Sequence, residues 1–310
     1  MEKQQLWQKL CRNAEILKLD MDLFGALKDF FNTLDMDFFA GCSEKTLSDF
    51  PHEEAGRVVG KENMPRLYLL CIVDNYDSAL ELHQKNNWPM DVFNDLKCWE
   101  CVAVRDFGFW GLSARIFSWQ QDCFKGVVKQ FGRLQCNDIS LFAPKLSLYR
   151  QKDGSILSRS AFEKGNPPHP DLTYGDKVIN LHIPASGPLK MDECRASIRA
   201  MCRFCEEFYP DWDFKAVVCS SWLLDPQFRE FLPESANIIR FQKLGHSLTI
   251  PGWDATRETI WRIWGAPGLD MPFEKLPART TLEKGSADFL RQGRRFQEGL
   301  LVIFRDELAF

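Results

Sequence analysis

Residues 177–208 read KVINLHIPASGPLKMDECRASIRAMCRFCEEF, and the reading of the whole chain turns on them. Val178 to Ile183 has the apolar, β-branched character of a strand. Pro184-Ala185-Ser186-Gly187-Pro188-Leu189 is a tight loop, and a helix starts near Met191 and runs to about Tyr209. A strand that breaks through a Gly-containing loop into a helix is a common way to hold a phosphate, because free backbone N–H groups point out of the helix N-terminus. Within the strand Val178, Asn180 and His182 share one face, and Ile179, Leu181 and Ile183 share the other. Two polar groups on one face of a central strand need partners or a cleft.

Working outward, Lys215 to Leu224 (KAVVCSSWLL) is a second apolar run of strand length. A helix links it to the first, so the two strands are expected to be parallel neighbours through a right-handed crossover. In this second run Ser220 and Trp222 share one face, and Cys219 and Ser221 the other. Before the central stretch, Val127 to Cys136 and Leu146 to Arg150 read as strands, and Gly165 to Gly175 is a loop. After it come a short helix from Gln227 to Phe231, strand candidates at Asn237–Phe241 and Ser247–Ile250, and a helix from Asp254 to Trp264. Ser286 reads as the cap of a last helix to about Gln297, followed by a strand from Gly299 to Phe304.

Residues 1 to about 125 have helical periodicity instead. One helix is expected from Met21 to Phe39, a short one from a Ser43 cap through Leu47, a long one opened by Pro65, a fourth after Pro89 and a fifth from Leu112 to Phe124. The expected organisation is therefore α+β (mixed α/β): a helical N-terminal domain over residues 1–125 and a mixed sheet-and-helix domain over 126–310.

The chain has 310 residues, 45% hydrophobic and 26% charged, which is the composition of a folded globular protein. Its net charge of −4 argues against nucleic acid as the main partner. The longest clean apolar run, Leu67 to Val73, is too short to span a membrane, and MEKQQLWQKL lacks the apolar core of a signal peptide, so a cytoplasmic protein is expected. Eleven cysteines without an export signal then read as reduced thiols. The two CxxC pairs, Cys98/Cys101 and Cys202/Cys205, lie a hundred residues apart, and the second falls within a helix; no metal is expected.

Four segments carry a resemblance. They are Phe131-Gly132-Arg133-Leu134-Gln135; Leu181-His182-Ile183-Pro184 with Ser186-Gly187-Pro188-Leu189; Ser221-Trp222-Leu223-Leu224-Asp225-Pro226; and Ser235-Ala236-Asn237-Ile238-Ile239-Arg240-Phe241. In order and spacing the chain resembles a bacterial family of acyltransferase-like proteins with a helical N-terminal domain and a GNAT-like C-terminal domain. The resemblance implies a mostly antiparallel sheet whose two parallel central strands splay apart, with acyl-CoA (or an acyl-carrier protein) as co-substrate in the gap. It places the pyrophosphate on the N–H groups of Ala185, Ser186, Gly187 and Leu189, with the N–H groups near Ile183 polarising the thioester carbonyl. From spacing, Arg195, Arg199 and Arg203 form a basic stripe on the helix that reads either as a CoA-phosphate contact, Arg195 first, or as a solvated face, and Trp222 reads either as lining the cleft or as packing.

The implied reaction is transfer of the acyl group to an amine acceptor by direct attack on the thioester. His182 reads either as the base for that attack or as a structural histidine bonded to a loop carbonyl. Cys219 and Ser221 are the remaining catalytic candidates, Cys219 as a nucleophile in a covalent variant. The chain departs from the family pattern in three ways: one glycine remains in the loop, Asp192 and Glu193 crowd the helix start, and the short helix after the second strand has no Tyr to protonate the leaving thiolate. The alternative reading is accordingly a non-catalytic protein that binds acyl-CoA or another nucleotide ligand and acts through partners. The acceptor, the acyl chain length and the oligomeric state are not written in the sequence.

Overall fold

Asp20 and Asp35 set the first departure from the expected pattern. In the computed structural model, which describes residues 2–93 and 96–308, the side chain of Asp20 accepts the N–H groups of Asp22 and Leu23, and that of Asp35 accepts the N–H of Phe38. Asp20 thus opens the first helix of this stretch and Asp35 opens a new one before Phe39. The single helix expected over Met21–Phe39 is three, α2 (Met21–Gly25), α3 (Lys28–Thr33), which has no side-chain cap, and α4 (Met36–Ser43), following α1 (Lys3–Ile16). Ser43 ends α4 and donates to Asp74 at 2.7 Å rather than capping a new helix. Beyond it lie a 3₁₀ turn at Leu47–Asp49 and α5 (His52–Val59).

The helix opened by Pro65 is α6 (Met64–Asp74), in which every residue from Leu67 to Val73 is buried. It ends at Asn75, whose amide donates to the carbonyls of Ser43 and Cys71, and α7 (Tyr76–Lys85) follows. The expected fourth helix is reduced to 3₁₀ turns and α8 (Glu100–Phe107); its residues 94 and 95 lie outside the described residues. The fifth is α9 (Ala114–Phe124), capped by Ser113. The chain divides into two units after Gln130.

The second unit is a mixed sheet-and-helix fold. Its main sheet has the order β1 (Lys129–Phe131), β2 (Leu134–Leu141), β6 (Lys177–His182), β7 (Ala216–Ser221), β9 (Gln297–Phe304), β8 (His246–Asp254). A smaller sheet has the order β4 (Ile156–Ser160), β3 (Leu146–Arg150), β5 (Leu172–Thr173). The pairs β2–β6, β7–β9 and β8–β9 are antiparallel, and β6–β7 is parallel. The strand expected over Val127–Cys136 is the β1–β2 hairpin, because Gly132 (φ 60°) reverses the chain. The link between β6 and β7 is α10 (Met191–Phe208). Val178, Ala216, Val218, Leu300 and Val302 of the main sheet pack against Leu146, Leu148 and Leu172 of the small one.

Three further expectations change. Asn237–Gln242 is a helix, α11, not a strand. Its paired isoleucines suggest β structure, but burial of Ile239 beside Phe228 and Ile260 decides otherwise. The strand expected to Leu224 stops at Ser221 and turns into a 3₁₀ helix at Trp222–Leu224. That turn crosses β9 at Gly299, where a Cβ would fall 2.1 Å from the Leu224 carbonyl group. The last helix is α13 (Thr281–Arg291), after α12 (Thr256–Trp264). Thr280 caps it by accepting the Glu283 N–H, and Ser286 is buried in its interior. No helix among the described residues is long and apolar enough to cross a membrane.

Candidate functional site

The pairing of β6 with β7 covers only Val178–Asn180 against Ala216–Val218. Both strands continue beyond it. β6 stays paired with β2 as far as His182, opposite Gln135, and β7 stays paired with β9 as far as Ser221, opposite Gly299. Each strand is thus held by its outer neighbour while the two inner edges part. The gap opens between Leu181–Ile183 and Cys219–Ser221.

At the same end of β6 lies the loop 183–190, and it is shaped by a residue the motif reading passed over. The half-buried Arg133, in the β1–β2 turn, donates from Nη1 to Pro184 O (3.0 Å), from Nη2 to Gly187 O (2.5 Å) and from Nε to Pro188 O (2.9 Å). Its own N–H donates to Ser197 Oγ (3.1 Å), and that hydroxyl donates to Glu193 O (2.8 Å), which ties the turn to α10. In a trans peptide C=O and N–H point opposite ways. With the carbonyls of Pro184 and Pro188 turned to Arg133, the N–H groups of Ala185 and Leu189 turn away from it. The N–H groups of Ala185, Ser186, Gly187 and Leu189 have no protein acceptor among the described residues.

Leu189 and Pro184 bury their side chains and anchor the loop at each end, while 185–188 are exposed. Gly187 has φ +133° with open space where a Cβ would go, so only backbone conformation demands glycine there. Of the two carboxylates at the start of α10, Glu193 is neutralised by Lys190 at 2.9 Å, and Asp192 is exposed.

The face of the sheet that carries Val178 is polar at the gap end. The register pairs Asn137 with Asn180 and Gln135 with His182, so all four side chains share that face. His182 Nε2 lies 2.5 Å from Asn137 Oδ1 and 3.5 Å from Asn180 Nδ2. Because Oδ1 only accepts, we assign the proton to Nε2 and the lone pair to Nδ1. Burial lowers the His182 pKa to about 4, so the ring is neutral at physiological pH. Gln135 is 1% exposed and its Nε2 has no hydrogen-bond partner. Asn180 and His182 were visible as a polar face in the sequence; Gln135 and Asn137 alternate on β2 in the same way, but only the strand register shows that they join them.

The other predicted residues are placed differently. Alternation puts Cys219 on the face opposite His182, where it is buried and its thiol pKa is driven far up by desolvation. It is not beside His182, and this corrects the pairing expected for a covalent variant. Ser221, on the same face as Cys219, accepts the Leu223 N–H and caps the 3₁₀ turn. Trp222 lies in that turn rather than on the strand, edge-on to Phe228 at 5.8 Å. Arg195 is half-buried on the second turn of α10, and Arg199 and Arg203 are exposed. All eleven cysteines are free thiols, and no cluster of three or more potential metal ligands occurs among the described residues.

Comparison with solved structures returns acyltransferases. The chain is similar to an acyltransferase in complex with decanoyl-CoA (TM-score 0.57, 24% identity, 76% of this chain and 65% of that one). It is also similar to an acyltransferase mutant in complex with octanoyl-CoA (TM-score 0.61, 18% identity, 86% and 75%). A third is an acyltransferase in complex with decanoyl-CoA and teicoplanin (TM-score 0.60, 19% identity, 86% and 75%). The chain thus spans 65% of the length of the first of these. No protein of curated function matches the sequence. Residues 128–301, more than half of the chain, match the model of the GNAT-like C-terminal domain, and the chain belongs to that family.

Proposed function

We propose that this protein is an acyltransferase that takes its acyl group from acyl-CoA and transfers it to an amine. The observation that carries the proposal is the parting of β6 and β7 beside a loop whose Ala185 and Leu189 N–H groups point away from the Arg133 clamp. The thioester would lie in the gap and the pyrophosphate on the N–H groups of Ala185, Ser186, Gly187 and Leu189. Charge-assisted bonds from Arg133 hold those donors in place without contacting the ligand. The amine nitrogen attacks the thioester carbon, the N–C bond forms, the C–S bond breaks, and CoA leaves as the thiolate. N–H groups near Ile183 would stabilise the carbonyl oxygen as charge develops on it. His182, neutral at physiological pH, would take the proton lost by the amine at Nδ1, its Nε2–H held by Asn137. The octanoyl- and decanoyl-CoA in the neighbours' complexes favour a medium-length acyl chain here too.

A second reading is a non-catalytic acyl-CoA binder. The helical turn after β7, Pro226–Glu230, has no Tyr to protonate the thiolate, which favours it. Thermal shift with CoA, octanoyl-CoA and decanoyl-CoA, together with thiol release in mixed amines, separates the two. A shift with amine-dependent release supports the enzyme, and a shift without release supports the binder. No shift with any of the three overturns both.

A further inference from the structure

Gln135 is a buried polar side chain on the His182 face that the chemistry above does not use. Its amide nitrogen is buried and has no hydrogen-bond partner among the described protein groups, an arrangement that costs stability and calls for a partner beyond them. Its surroundings are polar: the register sets it directly opposite His182, with Asn137 and Asn180 as the next pair along the same face. Directly opposed residues on neighbouring antiparallel strands have Cβ atoms about 4.5–5.5 Å apart. His182 Nε2 and Asn137 Oδ1 bond one another at 2.5 Å, whereas the Gln135 amide nitrogen is the buried donor of the four residues that has no partner. Asn137, Asn180 and His182 are half-buried, so the polar group beside Gln135 is not closed off from solvent.

From the gap outward the order is β7, the gap, β6 with His182, then β2 with Gln135. A thioester in the gap therefore lies on one side of His182 and Gln135 on the other. We infer that Gln135 is a specificity-determining residue for the acceptor: its amide N–H donates to an oxygen that the acceptor carries two or three bonds from the nitrogen held at His182. The ligand class is an amine with a neighbouring hydroxyl or carbonyl oxygen, and simple alkylamines and polyamines are selected against because they leave the amide unpaired. A site built to bond a substrate oxygen rejects the analogue that lacks it far more strongly than an apolar pocket rejects an added group. The inference rests on the acyltransferase reading for the identity of the amine, but its test reads binding alone.

The test uses the full chain, labelled with ¹⁵N and saturated with CoA, and a pair of amines of matched size, 2-aminoethanol and n-propylamine. The Gln135 side-chain amide signal, identified by its absence from Gln135→Leu, is expected to shift on titration with 2-aminoethanol and to stay in place with n-propylamine. Gln135→Leu is expected to bind 2-aminoethanol at least tenfold more weakly and to lose the preference between the two. Because the substitution removes an unpaired buried amide, the Tm is expected to hold or to rise by about 2–4 °C. A structural glutamine would lower it.

If the leucine packs badly, Gln135→Met, unbranched and of similar length, gives the same comparison. Retention of the preference in a folded Gln135 variant overturns the inference, and so does equal binding of the two amines by the wild type. Failure of the acyltransferase reading is seen separately, as absence of any thermal shift with CoA or acyl-CoA while 2-aminoethanol still moves the Gln135 signal.

Discussion

His83 and His182 titrate alike and differ in everything else. Burial lowers both to a pKa of about 4. His83 lies in α7, 1% exposed, between the rings of Trp88 and Phe93 at 5.1 and 4.7 Å, and neither ring nitrogen has a hydrogen-bond partner. His182 ends a strand that has just lost its parallel neighbour, and Asn137 fixes its tautomer. A depressed histidine pKa therefore reports burial, not function. What separates the two is backbone topology: one ring sits in a closed aromatic core, the other at the edge of a gap that the sheet opens.

The sharpest way to break this comparison is catalytic. In the thiol-release assay His182→Ala is expected to lower kcat by about 10²–10⁴-fold, the range for loss of a general base, while His83→Phe stays within about twofold. Equal losses would remove the distinction. Next in size is the loop. Arg133→Ala removes three bonds to loop carbonyls and is expected to weaken decanoyl-CoA binding by about 100-fold, two such charge-assisted bonds being worth about 3 kcal/mol or more. His182→Ala is expected to leave that Kd unchanged, since His182 acts on the amine; isothermal titration compares the two variants, and unchanged affinity in Arg133→Ala contradicts the clamp.

The third prediction concerns acid stability. Each histidine has a folded pKa below its unfolded value of 6.5, so the unfolded chain binds more protons between pH 6.5 and 4. The native state is fully favoured above pH 6.5 and loses stability as pH falls toward 4. At about 1.4 kcal/mol per pKa unit, His83 alone accounts for roughly 3 kcal/mol of that loss. Urea midpoints across this range are expected to flatten by that amount in His83→Leu, and an unchanged slope would contradict the burial argument. The smallest effect is expected at Cys219→Ala, within about twofold in rate. A loss beyond tenfold would restore a covalent acyl-cysteine to consideration.

The elements that flank the gap are legible in the chain, and its lining is less so. The β6–loop–α10–β7 order follows from local signals: β-branched runs, a proline-bounded loop, an amphipathic helix of eighteen residues. Asn180 and His182 stood out because two polar residues alternated in an apolar strand. Arg133 has no distinguishing mark beyond its motif, since a lone arginine in a turn carries no local sign of whose carbonyls it will meet fifty residues later. Gln135 and Asn137 escaped for the same reason, as a partner strand's register is invisible along one strand. Asn237–Gln242 went wrong because isoleucine pairs favour strands in isolation, whereas here the buried Gln242 amide bonds the carbonyls of Leu223 and Asp225.

What the sequence by itself determined, then, is the strand–loop–helix–strand order around residues 177–221, the family and the loop on which a phosphate could rest, because periodicity and glycine act over a few residues. What only the tertiary structure decided is that β6 and β7 part after Asn180 and Val218, that one guanidinium turns the loop's carbonyls inward, and that four polar side chains from two strands share a face. Those are products of pairing between distant segments. Strand register and long-range hydrogen bonds are set by the whole sheet, and no single stretch of chain contains them.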